Sequence, residues 1–558
     1  MLHLRFRAFR AGFWLALVAA GLLTPTGVRA QTPSWQTLLA LAGNGNSVST
    51  TATTLDAAGN LYMVGTFTGS LTFGANTLSS AGLEDIYVAK YSLALGGLQW
   101  LQRAGGAGAD VATGVVVNSR GVFVTGYFNG ATSTLGATVL TGTGATTAFV
   151  TRLTDSGNAG SFAWAYGLGG PGGSRALGVA ANGASVYVAG DFTDTISSSS
   201  QSLGSAGGTD GFLTRLTDAG PTATFDWLTA LGGPQNDGAT GVAVQGSSLY
   251  VVGSFSGQAT LGSIPVISNG GTDLYVTKLT DIGALSTSIW AQTGGSSLTD
   301  DYATAVATQG TGVYVTGSFG STTALGAFPL TSAGGMDGFV TKLTDVGATG
   351  SFSWARRLGG PAADQATAVA VRGTAVYVAG QFSGTASGFG TTSLTSAGLT
   401  DLFVARFTDQ STISSVNWAQ QAGGSAADAA LSVAVNSTGR VYTAGRAGVP
   451  ASFGPLSIST AGALGAGFVA SFLDPIPTAT AAAAAPLALS IYPNPARTTV
   501  QVPGATRATT LTLLDAVGRP VRQGSGSALS VRDVVPGLYV LRAATPGQPA
   551  RTARLVVE

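Results

Sequence analysis

Short apolar runs of six to eight residues, separated by turns rich in glycine and asparagine, fill the sequence between residues 33 and 472. Residues 112–117, 122–128 and 148–153 are typical, because β-branched and aromatic residues make up at least half of each run. A fourth run carries Phe162 and Trp164. Runs of this length, bounded by turn residues about every ten positions, predict β-strands. Valine, threonine and aromatic residues also fit a pleated surface better than a helix.

This set of four predicted strands recurs with a period of about 64 residues. One tryptophan marks each copy: Trp35, Trp100, Trp164, Trp227, Trp290, Trp354 and Trp418. A glycine inside the second strand marks each copy again: Gly65, Gly126, Gly190, Gly253, Gly317, Gly380 and Gly445. A fixed period with two independent markers predicts a repeat architecture. The predicted fold is all-β, a seven-bladed β-propeller with four strands in each blade.

The phase of the repeat predicts how the ring closes. The first tryptophan strand, residues 34–41, precedes the first three-strand block, and the last block ends at residues 467–472 with no tryptophan strand after it. An open array would leave unpaired strand edges at both ends, which favours aggregation. We therefore expect the N-terminal strand to complete the last blade, which would consist of residues 430–472 and 33–42.

Each repeat is about 20 residues longer than the blades of familiar propellers. The surplus lies between the second and third strands, where an apolar residue followed by glycine recurs: Phe73-Gly74, Leu135-Gly136, Leu261-Gly262, Leu325-Gly326, Phe389-Gly390 and Phe453-Gly454. Insertions gathered on one face of a repeat protein often form its binding surface. The alternative is a small extra hairpin that only lengthens each blade.

The two ends of the chain depart from the repeat. Residues 1–30 combine basic residues, an apolar run and a small-residue site, which predicts a secretory signal peptide cleaved after Ala30. Residues 473–486 form a Pro/Ala linker, and residues 487–558 predict a small β-sandwich. The chain has no cysteine, and no later apolar run is long enough to span a membrane. We expect an exported, soluble monomer without lipid attachment.

Two parts of the sequence resemble known families. Residues 59–65, a turn followed by Tyr62 and a Val-Gly pair, resemble the SBBP-type β-propeller repeat, and the resemblance covers residues 33–472. That family implies the propeller fold and no single activity. The last 72 residues resemble the type A sorting domain of the type IX secretion system of Bacteroidota, on the motif residues Tyr492, Pro493, Asn494, Pro495, Gly518, Gly537 and Tyr539. This resemblance implies the type IX secretion machinery as a partner, passage through the outer membrane, and release or attachment at the cell surface.

The inventory of side chains excludes several functions. Without residues 1–30, acidic residues outnumber basic residues by three, so a nucleic-acid-binding surface is not expected. The only histidine, His3, lies in the predicted leader, so Ser-His-Asp and Cys-His catalysis and the usual zinc sites are excluded. We expect no catalytic residues and no cofactor, although carboxylate pairs for glycoside hydrolysis remain in the chain.

Most aspartates follow the repeat, which favours a structural role. One series follows the tryptophans by about ten residues: Asp110, Asp237, Asp300 or Asp301, Asp364 and Asp428. A second series precedes the third strand: Asp85, Asp210, Asp273, Asp337 and Asp401. Five residues after that position stands a basic residue: Lys90, Arg152, Arg215, Lys278, Lys342 and Arg406. We expect repeated Asp–Lys/Arg pairs or carboxylates that cap turn N–H groups, with calcium binding as the alternative.

The tryptophans and the glycine pairs after them receive structural interpretations too. A tryptophan at the same place in every blade predicts packing between blades, with stacking on sugar rings as the alternative. Gly105-Gly106, Gly232-Gly233 and Gly359-Gly360 are interpreted as turns, because no helix or lysine follows as a phosphate loop requires.

Three functions remain compatible with the sequence. The leading hypothesis is a cell-surface binding or adhesion module for polysaccharide, another surface component or an envelope protein. The second is a carboxylate-dependent polysaccharide hydrolase or lyase working in the central channel. The third is a purely structural envelope protein. Because the fold alone does not decide among them, we expect function to reside in the non-repeating residues of the excursions between the second and third strands.

Overall fold

The computed structural model describes residues 32–43, 46–390, 392–459, 465–474, 489–515, 518–546 and 551–558. The predicted signal peptide and nearly all of the predicted linker lie outside these residues. The chain divides into two compact units, Met1–Asp474 and Pro475–Glu558. Each unit is described by itself.

The first unit consists of strands joined by tight turns. Strands in the middle of a blade, such as Gly121–Phe128, are buried over almost their whole length, since neighbouring blades cover both faces. In chain order the strands are β1 (Thr37–Leu41), β2 (Val48–Leu55), β3 (Leu61–Phe73), β4 (Asn76–Ser92), β5 (Gly97–Gly106), β6 (Asp110–Asn118), β7 (Gly121–Phe128), β8 (Thr132–Leu135), β9 (Thr138–Thr141), β10 (Thr147–Asp155), β11 (Gly160–Leu168), β12 (Ser174–Asn182), β13 (Ser185–Ser197), β14 (Ser202–Asp218), β15 (Ala223–Gly232), β16 (Gly238–Gln245), β17 (Ser248–Leu261), β18 (Ile264–Asp281), β19 (Ser286–Gly294), β20 (Asp301–Gln309), β21 (Gly312–Phe319), β22 (Thr322–Leu325), β23 (Phe328–Thr331), β24 (Asp337–Asp345), β25 (Gly350–Leu358), β26 (Gln365–Arg372), β27 (Ala375–Phe382), β28 (Thr385–Phe389), β29 (Thr392–Thr395), β30 (Asp401–Asp409), β31 (Ser414–Gly424), β32 (Ala429–Val435), β33 (Arg440–Ala447), β34 (Ala451–Phe453), β35 (Leu456–Ile458) and β36 (Ala466–Leu473).

These strands form seven four-stranded antiparallel sheets, the blades of a β-propeller. From the innermost strand outward, the blades are β2-β3-β4-β5, β6-β7-β10-β11, β12-β13-β14-β15, β16-β17-β18-β19, β20-β21-β24-β25, β26-β27-β30-β31 and β32-β33-β36-β1. The innermost strands contact one another in the cyclic order β2, β6, β12, β16, β20, β26, β32 and back to β2. The predicted all-β propeller fold is confirmed.

The ring closes through the N-terminal strand, as the phase of the repeat predicts. β1 pairs antiparallel with β36, and the register aligns Thr37 with Ser471 and Leu41 with Gly467. Blade 7 therefore takes its outermost strand from the start of the chain. The closing strand covers the edge that β36 would otherwise expose.

The hydrophobic core is divided into clusters that lie between blades. The cluster around Trp100, for example, joins Tyr62 and Val88 of blade 1 to Val124 and Phe149 of blade 2. Each of the seven predicted tryptophans is at most 5% exposed. Trp35 packs edge-on against Phe453 and Phe472 of blade 7. Large aromatic rings at these junctions bury the apolar area that holds neighbouring blades together.

The excursion between the second and third strands is an extra hairpin in each blade. In blades 1, 3 and 4 it prolongs the two strands, and in blades 2, 5, 6 and 7 it is a separate pair: β8-β9, β22-β23, β28-β29 or β34-β35. The recurring apolar residue before glycine is buried in all six copies. The glycine that follows adopts a φ between 57° and 68°, which suits glycine in the tight turn. The hairpin interpretation therefore describes this motif.

The C-terminal unit is a small β-structure with one shared core. Its strands are β37 (Thr499–Gln501), β38 (Thr510–Leu514), β39 (Pro520–Ser525), β40 (Ala528–Ser530), β41 (Gly537–Ala544) and β42 (Arg551–Val557). They form one sheet in the order β39-β38-β41-β42 and a second pair, β37-β40. Val500 and Leu529 of the pair share a cluster with Leu513 and Leu541 of the larger sheet, the arrangement expected of a β-sandwich.

Candidate ligand-binding clefts

The second aspartate series caps backbone N–H groups. One carboxylate oxygen of each residue accepts a hydrogen bond from the backbone N–H four residues earlier, at 2.5–2.9 Å, on Ala81, Ala206, Asn269, Ala333 and Ala397. Burial raises the pKa of all five carboxyl groups, from Asp85 to Asp401. All five therefore cap turn N–H groups, and Asp85 and Asp337 also pair with Arg103 and Arg357.

The basic residue five positions later does not pair with these aspartates. Side chains five residues apart on a strand point to opposite faces, so Lys278 faces away from Asp273. Its Nζ instead lies 2.6 Å from Oδ2 of Asp345, on the next blade. The same Asp345 accepts hydrogen bonds from Tyr250 and Trp290. The predicted pair within one strand is thus wrong, and the ion pair joins neighbouring blades.

A third aspartate series therefore holds the blades together, and the interpretation of the sequence missed it. Its members stand at the end of the third strand: Asp155, Asp218, Asp281, Asp345, Asp409 and Asp474. All three lysines of the protein end on this series. For Asp345, burial alone would raise the pKa, but the hydrogen bonds from Lys278, Tyr250 and Trp290 outweigh burial and hold the pKa below its usual value. The recurring dipeptide Thr-Asp was the available signal.

The glycine pairs after the tryptophans end the fourth strand and let the next hairpin approach. Gly105 and Gly106 of β5 pair with β8 of the following blade. A Cβ on Gly106 would lie 2.2 Å from the carbonyl oxygen of Thr132. The sequence predicted only turns at these glycines. In the structure they also allow close contact between neighbouring blades.

A ladder of side chains links the turns that follow the innermost strands. At five junctions, a side chain at the start of one turn donates a hydrogen bond to a backbone carbonyl in the turn of the next blade. The pairs are Asn118 to Gly183, Asn182 to Gly246, Gln245 to Gly310, Gln309 to Gly373 and Arg372 to Ser437, at 2.5–3.0 Å. These bonds close the gaps between blades 2 to 7 on this face.

The ladder breaks on both sides of blade 1. Five of these turns have two residues between the strands, whereas the turns of blades 1 and 7 have five and four and carry Gly59 and Gly439 at a positive φ. The longer turn offers an N–H to its own first side chain. Asp56 accepts from the backbone N–H of Asn60, and Asn436 from that of Arg440, both at 2.8 Å. Neither side chain reaches across to the next blade.

Two clefts open where the ladder is broken. Both are lined by residues 55–58, the blade 1 turn. The larger cleft, about 660 Å³, has residues 117–121 and Asp155 as its opposite wall. The smaller, about 240 Å³, has residues 435–438. We call them the paired clefts; they lie at the two junctions where the ladder departs from the repeat.

The walls of the paired clefts mix polar groups with apolar surface and are nearly neutral. In the larger cleft, the hydroxyl of Tyr62 lies between Oδ2 of Asp56 (3.2 Å) and Oδ2 of Asp155 (2.6 Å). Arg120 donates to the carboxylate of Asp218. The charged groups are therefore engaged with the scaffold. Ala57 and Ala58 are exposed between the clefts and leave room beside the turn.

The axis of the propeller carries no charge. A channel of about 270 Å³ is lined by three consecutive residues from each innermost strand: 51–53, 113–115, 177–179, 240–242, 304–306, 367–369 and 431–433. All are threonine, serine, alanine, glycine, valine or leucine. At five junctions a threonine hydroxyl donates to a carbonyl of the next blade, as Thr51 does to Ala112 at 2.7 Å.

Among the described residues, no three His, Cys, Asp or Glu side chains form a group that could hold a metal ion. In the same part of the chain, no helix has the length and apolar character needed to cross a membrane.

In the C-terminal unit, the motif residue Asn494 lies against the edge strand β42. The side chain of Asn494 donates to the carbonyl of Arg554 and accepts from the N–H of Val556, so it covers the free edge of that strand. The hydroxyl of Tyr539 donates to the carbonyl of Val535 at 2.7 Å. Tyr492 stays exposed. Asn494 therefore covers an edge of the sheet, and Tyr492 lies on the outer surface of the unit.

Residues 490–558 match the secretion system C-terminal sorting domain. This match confirms the resemblance noted in the sequence. The chain is exported by the type IX secretion system and is secreted or displayed at the cell surface. No curated protein sequence matches the chain.

Several solved structures are similar over much of the chain, at low identity. PorZ, described as an essential surface component of the type IX secretion system of Porphyromonas gingivalis, is 13% identical, with 96% of this chain and 88% of that chain covered and a TM-score of 0.24. A putative 6-phosphogluconolactonase from Bacteroides uniformis is 10% identical, with coverages of 66% and 88% and a TM-score of 0.34. Drosophila Semaphorin 1b is 8% identical, with coverages of 79% and 88% and a TM-score of 0.32. These scores are too low to support a statement about function.

Proposed function

We propose that this protein is a cell-surface binding module and that the paired clefts hold its ligand. The observation that carries the proposal is the break in the turn ladder at blade 1, which leaves two adjacent clefts beside the blade 1 turn. A ligand site in a repeat protein is expected where one repeat differs from the others. The resemblance of residues 33–472 to the SBBP-type repeat stays a prediction and fits a scaffold of this kind.

The chemistry of the walls favours a polysaccharide as the ligand. Ser119, Ser437 and Thr438 are side chains with hydroxyl groups on the outer walls, and turn backbone supplies further donors and acceptors. The blade 1 turn between the clefts carries only small side chains at Ala57 and Ala58. An extended chain with many hydroxyl groups can cross this turn and enter both clefts. Polar groups placed in a shallow site fix orientation through hydrogen bonds.

Binding without turnover is the activity we expect. A hydrolase of sugars needs two carboxyl groups that face the scissile bond. In the larger cleft the carboxylate of Asp155 already accepts from Lys90, Tyr62 and Trp100. The neutral lining of the axial channel likewise offers no pair of acids for the alternative enzyme. We also expect binding to persist in a calcium chelator.

A polysaccharide panel tests the proposal with the mature protein. Binding and product release are measured together for the wild type and for Ala58→Trp, which fills the space beside the blade 1 turn. Ser247→Trp is the matched control, since Ser247 is exposed in the corresponding turn of blade 4. We expect a tenfold or greater loss of binding for Ala58→Trp and wild-type binding for Ser247→Trp. Equal binding by both variants, or release of cleaved product, would contradict the proposal.

A further inference from the structure

The first and second aspartate series meet at the junctions between blades. An aspartate before the third strand of one blade faces an aspartate that begins the innermost strand of the next. The five pairs are Asp85 with Asp110, Asp210 with Asp237, Asp273 with Asp301, Asp337 with Asp364, and Asp401 with Asp428. All ten side chains are at most 4% exposed. We call them the junction carboxyl pairs.

The two carboxyl groups of a pair share one small space. The backbone N–H of Gly233 lies 3.1 Å from Oδ1 of Asp210 and 2.6 Å from Oδ2 of Asp237. At the junction of blades 6 and 7, Oδ1 of Asp401 and Oδ2 of Asp428 both lie within 2.8 Å of the point where a Cβ on Gly423 would stand. Two buried carboxylates this close repel each other strongly, so their protons are coupled.

Several oxygens in these pairs have no hydrogen-bond donor. They are Oδ1 of Asp85, Asp273, Asp301, Asp337 and Asp401. A buried acceptor without a donor is costly, and a carboxylate more so. A proton held between the two carboxyl groups supplies the missing donor. At two pairs an arginine also contributes positive charge, since Arg103 contacts Asp85 and Arg357 contacts Asp337. The other three pairs show no such arginine within the described residues.

At each junction between blades, either both of these positions carry aspartate or neither does. At the junction of blades 2 and 3, both positions carry hydroxyls, Thr147 and Ser174. The hydroxyl of Ser174 accepts a hydrogen bond from the backbone N–H of Ala148 and donates one to the carbonyl of Leu168. It therefore needs no additional proton to complete its hydrogen bonds. At the junction of blades 7 and 1, the two positions are Ala466 and Val48. No junction keeps one aspartate without the other, which is expected if the two act together.

We propose that the pairs Asp210/Asp237, Asp273/Asp301 and Asp401/Asp428 are proton-binding sites that each share one proton, and that its release loosens the junction between the blades. The ring is then more stable in mild acid than in base. Burial and the neighbouring carboxylate support this direction, because they raise the pKa of Asp237 and Asp428 to about 6 and that of Asp301 to about 7. A carboxyl group whose pKa is raised by folding stabilises the fold fully below its unfolded value, near 4, and loses that contribution as pH rises through about 6 to 7.

Other titratable groups and hydrogen-bond donors lie close to these pairs. Asp237 lies near the buried Tyr275, whose pKa it raises further. Asp301 lies near Asp300, whose carboxylate accepts from the backbone of Thr272. Around Asp401 and Asp428, backbone N–H groups of Ala397, Gly424 and Gly448 are the donors. Arg446 stands opposite Ala429 on the next strand, with its side chain exposed. The Asp401/Asp428 pair is therefore the cleanest one to test.

The test compares urea unfolding of the mature protein at pH 5 and pH 8, followed by tryptophan fluorescence. Every tryptophan outside the predicted leader lies in the propeller, so the signal reports this unit. The wild-type midpoint should fall from pH 5 to pH 8. Asp428→Asn, whose amide can donate to Asp401 in place of the proton, should raise the midpoint at pH 8 and not at pH 5. D401T/D428S copies the hydroxyl pair of Thr147 and Ser174. Because a group with a pKa of about 6 is half protonated at pH 6, this variant should lower the number of protons released on unfolding at that pH by about one half.

A control variant and a calcium titration complete the test. Asp345→Asn removes a carboxylate that pairs with lysine, and should lower the midpoint at pH 8. Unchanged proton release in D401T/D428S would overturn the proposal. So would a rise of the wild-type midpoint with added calcium at pH 8 that D401T/D428S abolishes, because the pair would then hold a cation.

Discussion

Single aspartates decide how neighbouring blades are joined. Asp345 shows the pattern: it accepts from a lysine, a tyrosine and a tryptophan of the preceding blade, and from the backbone of Gly347. Lys278 and Asp345 are both largely buried. Removing one partner of a buried ion pair leaves the other charge without compensation, which is more damaging than losing the pair as a whole.

Replacing Asp345 with alanine should therefore destabilise the propeller by about 3–5 kcal/mol at pH 7, because Lys278 stays buried without a partner. The pKa of Asp345 is lowered by folding, so its contribution is present above pH 4 and lost as pH falls below that value. Urea unfolding at pH 7 and pH 3 measures both effects. Asp194→Asn, at an exposed aspartate, should change stability little. A similar loss for Asp345→Ala at both values of pH would contradict this role.

The positions of these aspartates were predictable, but their partners were not. A period of about 64 residues identifies Asp273 and Lys278 as regular features. It does not reveal that Lys278 reaches Asp345, because that contact joins two blades and depends on which face each side chain takes. Alternation along the strand could have excluded the Asp273–Lys278 pair. To identify Asp345 as the partner, one also needs the distance between neighbouring blades, which only the folded structure provides.

At the scale of strands, the ring depends on one short element. β1 joins the start of the chain to its last blade through five aligned residue pairs, from Thr37 with Ser471 to Leu41 with Gly467. The phase of the tryptophan strands was enough to predict this closure. The broken turn ladder was not predicted, because it depends on whether the first side chain of a turn folds back or reaches across. The longer turns at residues 56–60 and 436–440 were the signal available.

A disulfide across the closing strand should lock the ring. Thr37 and Ser471 are aligned neighbours on antiparallel strands, a spacing that suits a disulfide, and the chain contains no other cysteine. The oxidised double variant T37C/S471C should gain about 4–5 kcal/mol over its reduced form, since the bond closes a very long loop. Urea unfolding with and without reductant measures the gain. Equal stability of the two forms would show that β1 does not close the ring.

At the scale of the whole molecule, the rigid propeller and the sorting unit have separate tasks. The propeller uses its periodic charges for its own junctions and leaves blade 1 as the exception, where the paired clefts open. The sorting unit carries the export signal within residues 490–558. Its fold class and motif were predictable from sequence, because short motifs in a fixed order identify this family. The paired clefts were not predictable, because their walls are mostly turn backbone and small side chains.

Removing residues 487–558 should stop export across the outer membrane, because the sorting domain is the part that the secretion machinery recognises. We expect the shortened protein to accumulate in the periplasm, with at least a tenfold loss from the cell surface and medium. Cell fractionation with an antibody to the propeller measures the distribution. As the control for misfolding, residues 475–558 are fused to a periplasmic reporter, which should then leave the cell or appear on its surface. Normal surface display of the shortened protein, or retention of the fused reporter, would refute the assignment of export to this unit.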